Sequence, residues 1–278
     1  MPKFPAKRVL IAGAGALGQQ IAIALPFGTE VSMVRRTATA STAAANIRWI
    51  QADLLAPAGF AAEIGTPDVV IFSASPNSRT ISDYRGVYID ALAQLLHTFP
   101  SARFLLCSST AVYPTTAWNS ADQLPELFDE QSKAQPDDFN GHILLEAENL
   151  LRVGDCALRL GGIYGPGRNY LLKLIQADQP VLRAPGLFSN RIHLCDAAGV
   201  IAKLALRANV PAIVNLIDHS PCPQFEVLDY LCAQRKLPVL LERAPVPGES
   251  IGKRILSRFH TEAWYALEYP SYVEGYKQ

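Results

Sequence analysis

The 278-residue sequence is short of charge. Asp, Glu, Lys and Arg make up 18% of it, against an average of about 25%. The 25 basic residues are matched by 25 acidic ones. A balanced chain lacks the basic surface that a general nucleic-acid binder needs for phosphates, so no nucleic-acid partner is expected. Long apolar runs are missing too. No stretch approaches the ~18 residues of a membrane span, and no membrane partner is expected. The basic start MPKFPAKR leads into only a short apolar segment, without the longer region and cleavage site of a secretory signal. Cysteine is scarce: Cys107, Cys156, Cys195, Cys222 and Cys232 are odd in number and form no CxxC. That excludes a disulfide framework or a zinc site and points to a reduced, cytoplasmic setting. The five histidines show no metal-ligand spacing, and no metal is expected. There is no internal repeat and no low-complexity linker. What is plentiful is apolar residues, at 49%, too many for a disordered chain. The length suits one or two domains with a sizeable core.

Those apolar residues fall into short continuous runs. KRVLIA (7–12), EVSMVR (30–35), 47–51, DVVIFSA (68–74), RFLLCS (103–108) and DCALRL (155–160) read as strands. Continuous rather than alternating apolarity marks strands buried on both faces. Helical stretches at 18–25, 84–98 and 140–152 lie between them, and 37–46 reads as a weakly held helix or a loop. Strands alternating with helices predict crossovers and a parallel sheet. After residue 160 Gly and Pro become frequent, in GGIYGPGR (161–168), around 180–186 and at seven later prolines. The expected division is a sheet domain over 1–160, joined by 194–217, and a smaller looped domain over 161–278.

One motif gives the sheet a ligand. Gly13-Ala14-Gly15-Ala16-Leu17-Gly18 is GxGxxG between a predicted strand and a predicted helix. The first glycine allows the tight turn, the second lets a pyrophosphate approach, and the third lets helix and strand pack. The helix start offers N–H groups and partial positive charge. Gly13, Gly15, Ala16, Leu17 and Gly18 are therefore the expected dinucleotide cradle. At the end of the second strand, where NAD-binding chains place an acid, stand Arg35 and Arg36. A guanidinium suits a 2′-phosphate, so NADP(H) is preferred over NAD(H). Asp53, followed by Leu54, can accept from an adenine amino group or serve simply as a turn acid. The fold expected is α/β: a doubly wound parallel sheet of the Rossmann type with a smaller C-terminal substrate domain.

Five segments in this order resemble the extended short-chain dehydrogenases/reductases, the group of nucleotide-sugar epimerases and dehydratases. They are the glycine loop, Asp53-Leu54, SSTAVY (108–113), LRLGGIYGPGR (158–168) and RIHLCDAAGVI (191–201). The tail, from Gly252-Lys253-Arg254-Ile255 to Tyr269-Pro270-Ser271-Tyr272, is similar to an atypical bacterial subgroup. Ala12 stands where the extended family has the first glycine of GxxGxxG. The resemblance implies that Ser109 holds a substrate oxygen, unless it is only a small residue that fits a strand end. It implies that Gly165, Pro166 and Gly167 border the nicotinamide and that Arg191 grips a substrate phosphate. Arg168 is either an anion anchor or a solvated residue of a rigid loop. A homodimer through residues 84–98 and 140–152 is a further implication, with Leu144, Leu145, Leu150 and Leu151 serving that interface or the sheet.

The family's acid–base pair, YxxxK, is absent. Matching the glycine and the later glutamate of 140–148 puts Asn140 at the Tyr position and Leu144 at the Lys position, and no Tyr lies between Tyr113 and Tyr164. An amide cannot cycle a proton near neutral pH. His142 falls about 200° around the helix from Asn140 and faces away. Tyr113, Tyr164 and His193 are substitute candidates; His193 is also read as a substrate residue or a packed strand residue. Asp196 reads as the N-cap of a helix over 197–206, and Lys253-Arg254 as an exposed pair. Trp49, Trp118 and Trp264 read as packing residues. Tyr265, Tyr269, Tyr272 and Tyr276 read as pins for a C-terminal segment in which Pro270 breaks any helix. Two functions follow. One is an atypical NADP(H)-dependent oxidoreductase or epimerase/dehydratase-like enzyme acting on a small-molecule carbonyl, alcohol or nucleotide sugar. The other is a non-catalytic NADP(H) sensor.

Overall fold

The computed structural model describes residues 7–37, 46–117, 124–168, 170–177, 187–238 and 251–277. Trp118, most of 37–46 and the Gly/Pro cluster at 180–186 lie outside the described residues. The fold is mixed α/β. Seven parallel strands form the central sheet: β1 Arg8–Ala12, β2 Glu30–Arg35, β3 Ile47–Gln51, β4 Val69–Phe72, β5 Arg103–Ser109, β6 Cys156–Leu160 and β7 Ile213–Leu216. Their spatial order is β7-β6-β5-β4-β1-β2-β3. Ile11 of β1 pairs with Met33 on one side and Ile71 on the other, and all three are buried. The chain leaves β1 toward β2 and later returns to its other flank at β4. That reversal opens a crevice at the C-terminal ends of β1 and β4, where ligands bind in open α/β sheets.

The helices begin earlier than their apolar patterns suggest. The first, α1, spans Ala16–Ala24, because Gly15 takes an extended conformation (φ −76°, ψ −169°) and starts it without any side-chain cap. The stretch expected at 84–98 starts at Ile81, where the Thr80 hydroxyl accepts the Asp83 N–H. It runs as Ile81–Arg85, a wide π turn over Gly86–Ala91, and Leu92–Thr98. The helix expected at 140–152 is Phe139–Glu148. Among the described residues no helix is long and apolar enough to cross a membrane.

The chain divides into two compact units: 1–112, 138–159 and 198–214 form one, and 113–137, 160–197 and 215–278 the other. Residues 113–137 fall in the second because their bonds are made there. The buried Tyr113 hydroxyl meets Asp129 O and Asn215 Oδ1, both at 2.9 Å. Thr116–Ala117 and Leu127–Phe128 pair with Ile251–Gly252 and Arg254–Ile255.

In the first unit Leu10, Phe72, Leu92, Leu95, Phe104 and Leu106 form the centre of the core, each large side chain stabilising by about 1.5–3 kcal/mol. A buried ion pair crosses it. Arg159 of β6 bonds Glu148, at the end of the helix Phe139–Glu148, through Nη2 at 2.7 Å and Nε at 3.1 Å. The Ser108 hydroxyl of β5 donates to the same carboxylate at 2.6 Å. The side chains of Arg159 and Glu148 are 3% and 6% exposed.

In the second unit Tyr164, Val227, Leu228, Leu231 and Tyr276 pack together. The C-terminal segment is tied down at many points. Tyr265 is fully buried, and its hydroxyl accepts the Ile217 N–H at 2.9 Å. His219 N–H donates to Pro270 O at 2.9 Å. Past Pro270 a short helix, Tyr272–Gly275, forms after all, because Ser271 accepts the Val273 N–H and caps it. Lys253 and Arg254 are half-buried rather than exposed: Lys253 Nζ bonds Tyr113 O, and Arg254 Nε bonds Pro125 O at 2.8 Å.

Candidate functional site

The turn between β1 and α1 is built on its first glycine. Gly13 has φ +106°, and a Cβ there would lie 2.2 Å from Ala74 N. Both its conformation and its surroundings require glycine. The N–H groups of Gly13 and Ala14 bond Val34 O at 3.1 and 3.2 Å, and Ser73 Oγ donates to Gly13 O at 2.8 Å. Gly18 packs under this turn, with a Cβ position 2.4 Å from Gly13 O. Gly15 differs: nothing lies within 4 Å of its Cβ position. The first turn of α1 carries no acid and no side-chain cap. Its unbonded N–H groups and the positive end of the helix dipole are thus available to an anion.

In front of this turn lies a cavity of about 570 Å³. It gathers Gly13, Gly15, Arg35, Arg36, Asp53 and Leu54, six of the nine residues expected at a dinucleotide. Of the other three, Ala16 is exposed at the helix start, Leu17 is buried and Gly18 lies beneath the turn. Arg35 is half-buried and donates to Thr37 Oγ1 at 2.9 Å. Arg36 is exposed and donates to Asn77 Oδ1 at 2.6 Å. Asp53 Oδ1 accepts Leu55 N–H at 3.0 Å, a local turn that leaves the carboxylate at the wall. Ser73, Ser75 and Asn77 also line the cavity, and the sequence reading missed them. Their signal was there: small polar residues directly after the buried strand β4, beside the reversal point of the sheet.

Ser109 ends β5 half-buried, its Oγ accepting Ala111 N–H at 3.1 Å. On the helix Phe139–Glu148, Asn140 is half-buried and accepts from Arg79 Nη2 at 3.4 Å. The same Arg79 atom lies 3.4 Å from Asp138 Oδ2. Leu144 is 3% exposed, and His142 is exposed.

The residues read as substrate contacts all fall in the second unit, and they separate. Arg168 is exposed on the tight turn it forms with Gly165. Arg191 and His193 are buried under the C-terminal segment. Arg191 Nη1 bonds Cys222 Sγ at 3.2 Å, Nη2 bonds Ser189 Oγ, and the guanidinium lies 5.5 Å from the Tyr272 ring. His193 is 0% exposed and packs against Tyr269 and Tyr164 at 4.0 and 5.3 Å between centroids. Burial lowers its pKa. Asp196 is not an N-cap, since its helix starts earlier and spans Leu194–Leu206. Its carboxylate instead accepts the N–H groups of Glu268 and Tyr269 at 2.7 and 2.9 Å, and burial raises its pKa. Tyr164 is buried with its hydroxyl on Ser271 O at 3.2 Å, and burial pushes that phenol well up. Among the described residues no cluster of three or more His, Cys, Asp or Glu could hold a metal ion.

No protein-family model and no curated protein matches the chain. Solved structures do. A protein from Methylobacillus flagellatus, assigned as an NAD-dependent epimerase/dehydratase, is 28% identical over 97% of this chain and 96% of its own, with a TM-score of 0.78. A conserved protein of unknown function from Silicibacter pomeroyi DSS is 24% identical over 97% and 96%, with a TM-score of 0.69. The UDP-glucuronic acid 4-epimerase of Bacillus cereus, solved with NAD, is 16% identical over 96% and 94%, with a TM-score of 0.76. The chain shares the Rossmann-type fold of these structures, which include NAD-dependent epimerases and dehydratases, and its sequence is similar to the first of them.

Proposed function

We propose that the chain is an NADP(H)-dependent oxidoreductase of the epimerase/dehydratase type that works without a Tyr–Lys pair. The observation that carries this is the cavity in front of Gly13–Gly15, walled by Arg35 and Arg36. The residues fit a dinucleotide. Gly15 leaves open space for a pyrophosphate at an uncapped helix start. Asp53, on the cavity wall, would offer an acceptor to an adenine amino group. The Bacillus cereus enzyme is described with NAD; two guanidinium groups favour a ligand that adds a 2′-phosphate.

A bound nicotinamide would supply hydride transfer. Ser109 would orient the carbonyl or alcohol oxygen of a small molecule or nucleotide sugar. Asn140 offers hydrogen bonds but no titratable proton, so the proton would come through water or a non-standard residue. Arg168, exposed on its turn, would meet an anionic substituent, whereas Arg191 and His193 hold the C-terminal segment in place. By family likeness the chain forms a homodimer through Ile81–Thr98 and Phe139–Glu148; sedimentation as a monomer at high concentration would contradict this.

A second reading accommodates one observation as readily as the first. Leu144 is buried and Asn140 is tied to Arg79, an arrangement that serves a non-catalytic NADP(H) sensor equally well. Product formation from a panel of carbonyls and nucleotide sugars, with NADPH absorbance followed in parallel, separates the two, because an epimerase or dehydratase takes back its hydride and consumes no cofactor. Saturable turnover lost in Ser109→Ala supports the enzyme. NADPH binding with no turnover across the panel supports the sensor.

A further inference from the structure

We propose that Asn77 sets the choice of dinucleotide by holding Arg36 ready for a 2′-phosphate. This rests on the reading of the cavity as a dinucleotide site and adds a residue that neither the motifs nor the comparisons assign.

Arg36 follows β2 and is exposed. An unrestrained arginine there would lose side-chain freedom on gripping a ligand. Two contacts remove that freedom beforehand. Gln51 Nε2 donates to the Arg36 carbonyl at 3.2 Å and fixes its backbone. Asn77 Oδ1 accepts from Arg36 Nη2 at 2.6 Å and fixes its head. Asn77 lies 41 residues further on, after β4, and both residues line the cavity. The contact therefore joins two walls of one cavity.

The loop that carries Asn77 is itself anchored. Ser78 donates to Asp83 Oδ2 through its N–H at 3.0 Å and its Oγ at 2.7 Å. Asp83 N–H returns a bond to Thr80 Oγ1 at 3.2 Å. The amide oxygen is thus presented from a fixed base.

The neutrality of that acceptor matters. A carboxylate at position 77 would cancel the guanidinium charge and repel a phosphate. An amide orients the guanidinium without neutralising it, and it occupies only one of five donors. Among the described residues Arg36 makes no ion pair. Its charge is held in position and kept for a ligand. NAD⁺, which lacks the 2′-phosphate, gains nothing from this arrangement.

Calorimetric dissociation constants for NADP⁺ and NAD⁺, on wild type, Asn77→Ala, Asn77→Asp, Arg36→Ala and the Arg36→Ala/Asn77→Ala double variant, test this. Asn77→Ala weakens NADP⁺ by about threefold to tenfold, the cost of ordering one long side chain on binding, and leaves NAD⁺ unchanged. Asn77→Asp weakens NADP⁺ further. With Arg36 already removed, Asn77→Ala has no further effect on the ratio. Equal weakening of both dinucleotides, or an unchanged ratio in Asn77→Ala, overturns the role of Asn77 while the cavity reading stands. Binding of neither dinucleotide by wild type overturns both.

Discussion

Glu148→Gln is the perturbation whose cost the structure defines most fully. The carboxylate is 6% exposed and faces a guanidinium that is 3% exposed. It accepts from Arg159 at 2.7 and 3.1 Å and from Ser108 at 2.6 Å. The substitution keeps the shape and removes the charge, so the Arg159 cation stays buried without its counter-ion. Breaking such a pair from one side costs about 3–5 kcal/mol. Ser108→Ala removes one bond to a charged group and costs about 1.5–3 kcal/mol. In urea denaturation the Glu148→Gln midpoint should fall by about 1 M or more, with the slope unchanged. The paired replacement Glu148→Leu/Arg159→Met tests the cause. Apolar side chains of similar volume need no counter-ion, so the double variant should recover most of the loss. A Glu148→Gln protein within about 1 kcal/mol of wild type, or a double variant worse than either single one, would refute the reasoning. The pair also holds the helix that carries Asn140 and Leu144 against β5 and β6.

Further outcomes follow from single contacts. Gly15→Ala should leave the denaturation midpoint unchanged, since its Cβ meets nothing within 4 Å, yet weaken dinucleotide binding at least about tenfold by filling the pyrophosphate approach. Gly13→Ala, forced against Ala74 N at 2.2 Å, should destabilise the fold itself; equal behaviour of the two variants would contradict their assigned roles. Asp218 is 1% exposed with Oδ2 unpartnered among the described residues. Burial pushes its pKa up to about 7, against the lowering effect of Arg191. The folded chain then holds this proton more tightly than the unfolded one, so the associated stability is full in acid and is lost as pH rises through about 7. Denaturation midpoints between about pH 4 and 7 should fall in wild type more steeply than in Asp218→Asn; a wild-type profile no steeper than the variant's over that range would refute the assignment. Asp196→Ala removes the acceptor of two backbone N–H groups, and hydrogen exchange at Glu268 and Tyr269 should accelerate while exchange in β1 does not change.

The centre of the sheet was legible because β1, β4 and β6 are buried along nearly their whole length and carry continuous apolar runs. Strands β2 and β3 also adopt the boundaries read for them, although β3 lies at the sheet edge with only Ile50 buried. The glycine loop was legible because Gly13 and Gly18 answer to contacts that no other residue type allows. Helix starts were harder. Gly15 begins α1 without a capping side chain, so no residue type marked the boundary. Asp196 read as a cap because a carboxylate near a helix start usually is one; its real partners, Glu268 and Tyr269, lie more than 70 residues away. Arg191 and His193 read as substrate residues for the same reason: which side chains a C-terminal segment will cover is set by tertiary packing. Asn77 was invisible as a lone loop amide until the fold brought Arg36 to it.

Calorimetry of the whole chain with NADP⁺ and NAD⁺, repeated on Arg35→Asp, tests the central claim most directly. One saturable site per chain, tighter for NADP⁺ in wild type and reversed toward NAD⁺ in the variant, is the predicted result. Heats indistinguishable from dilution for both dinucleotides would contradict it.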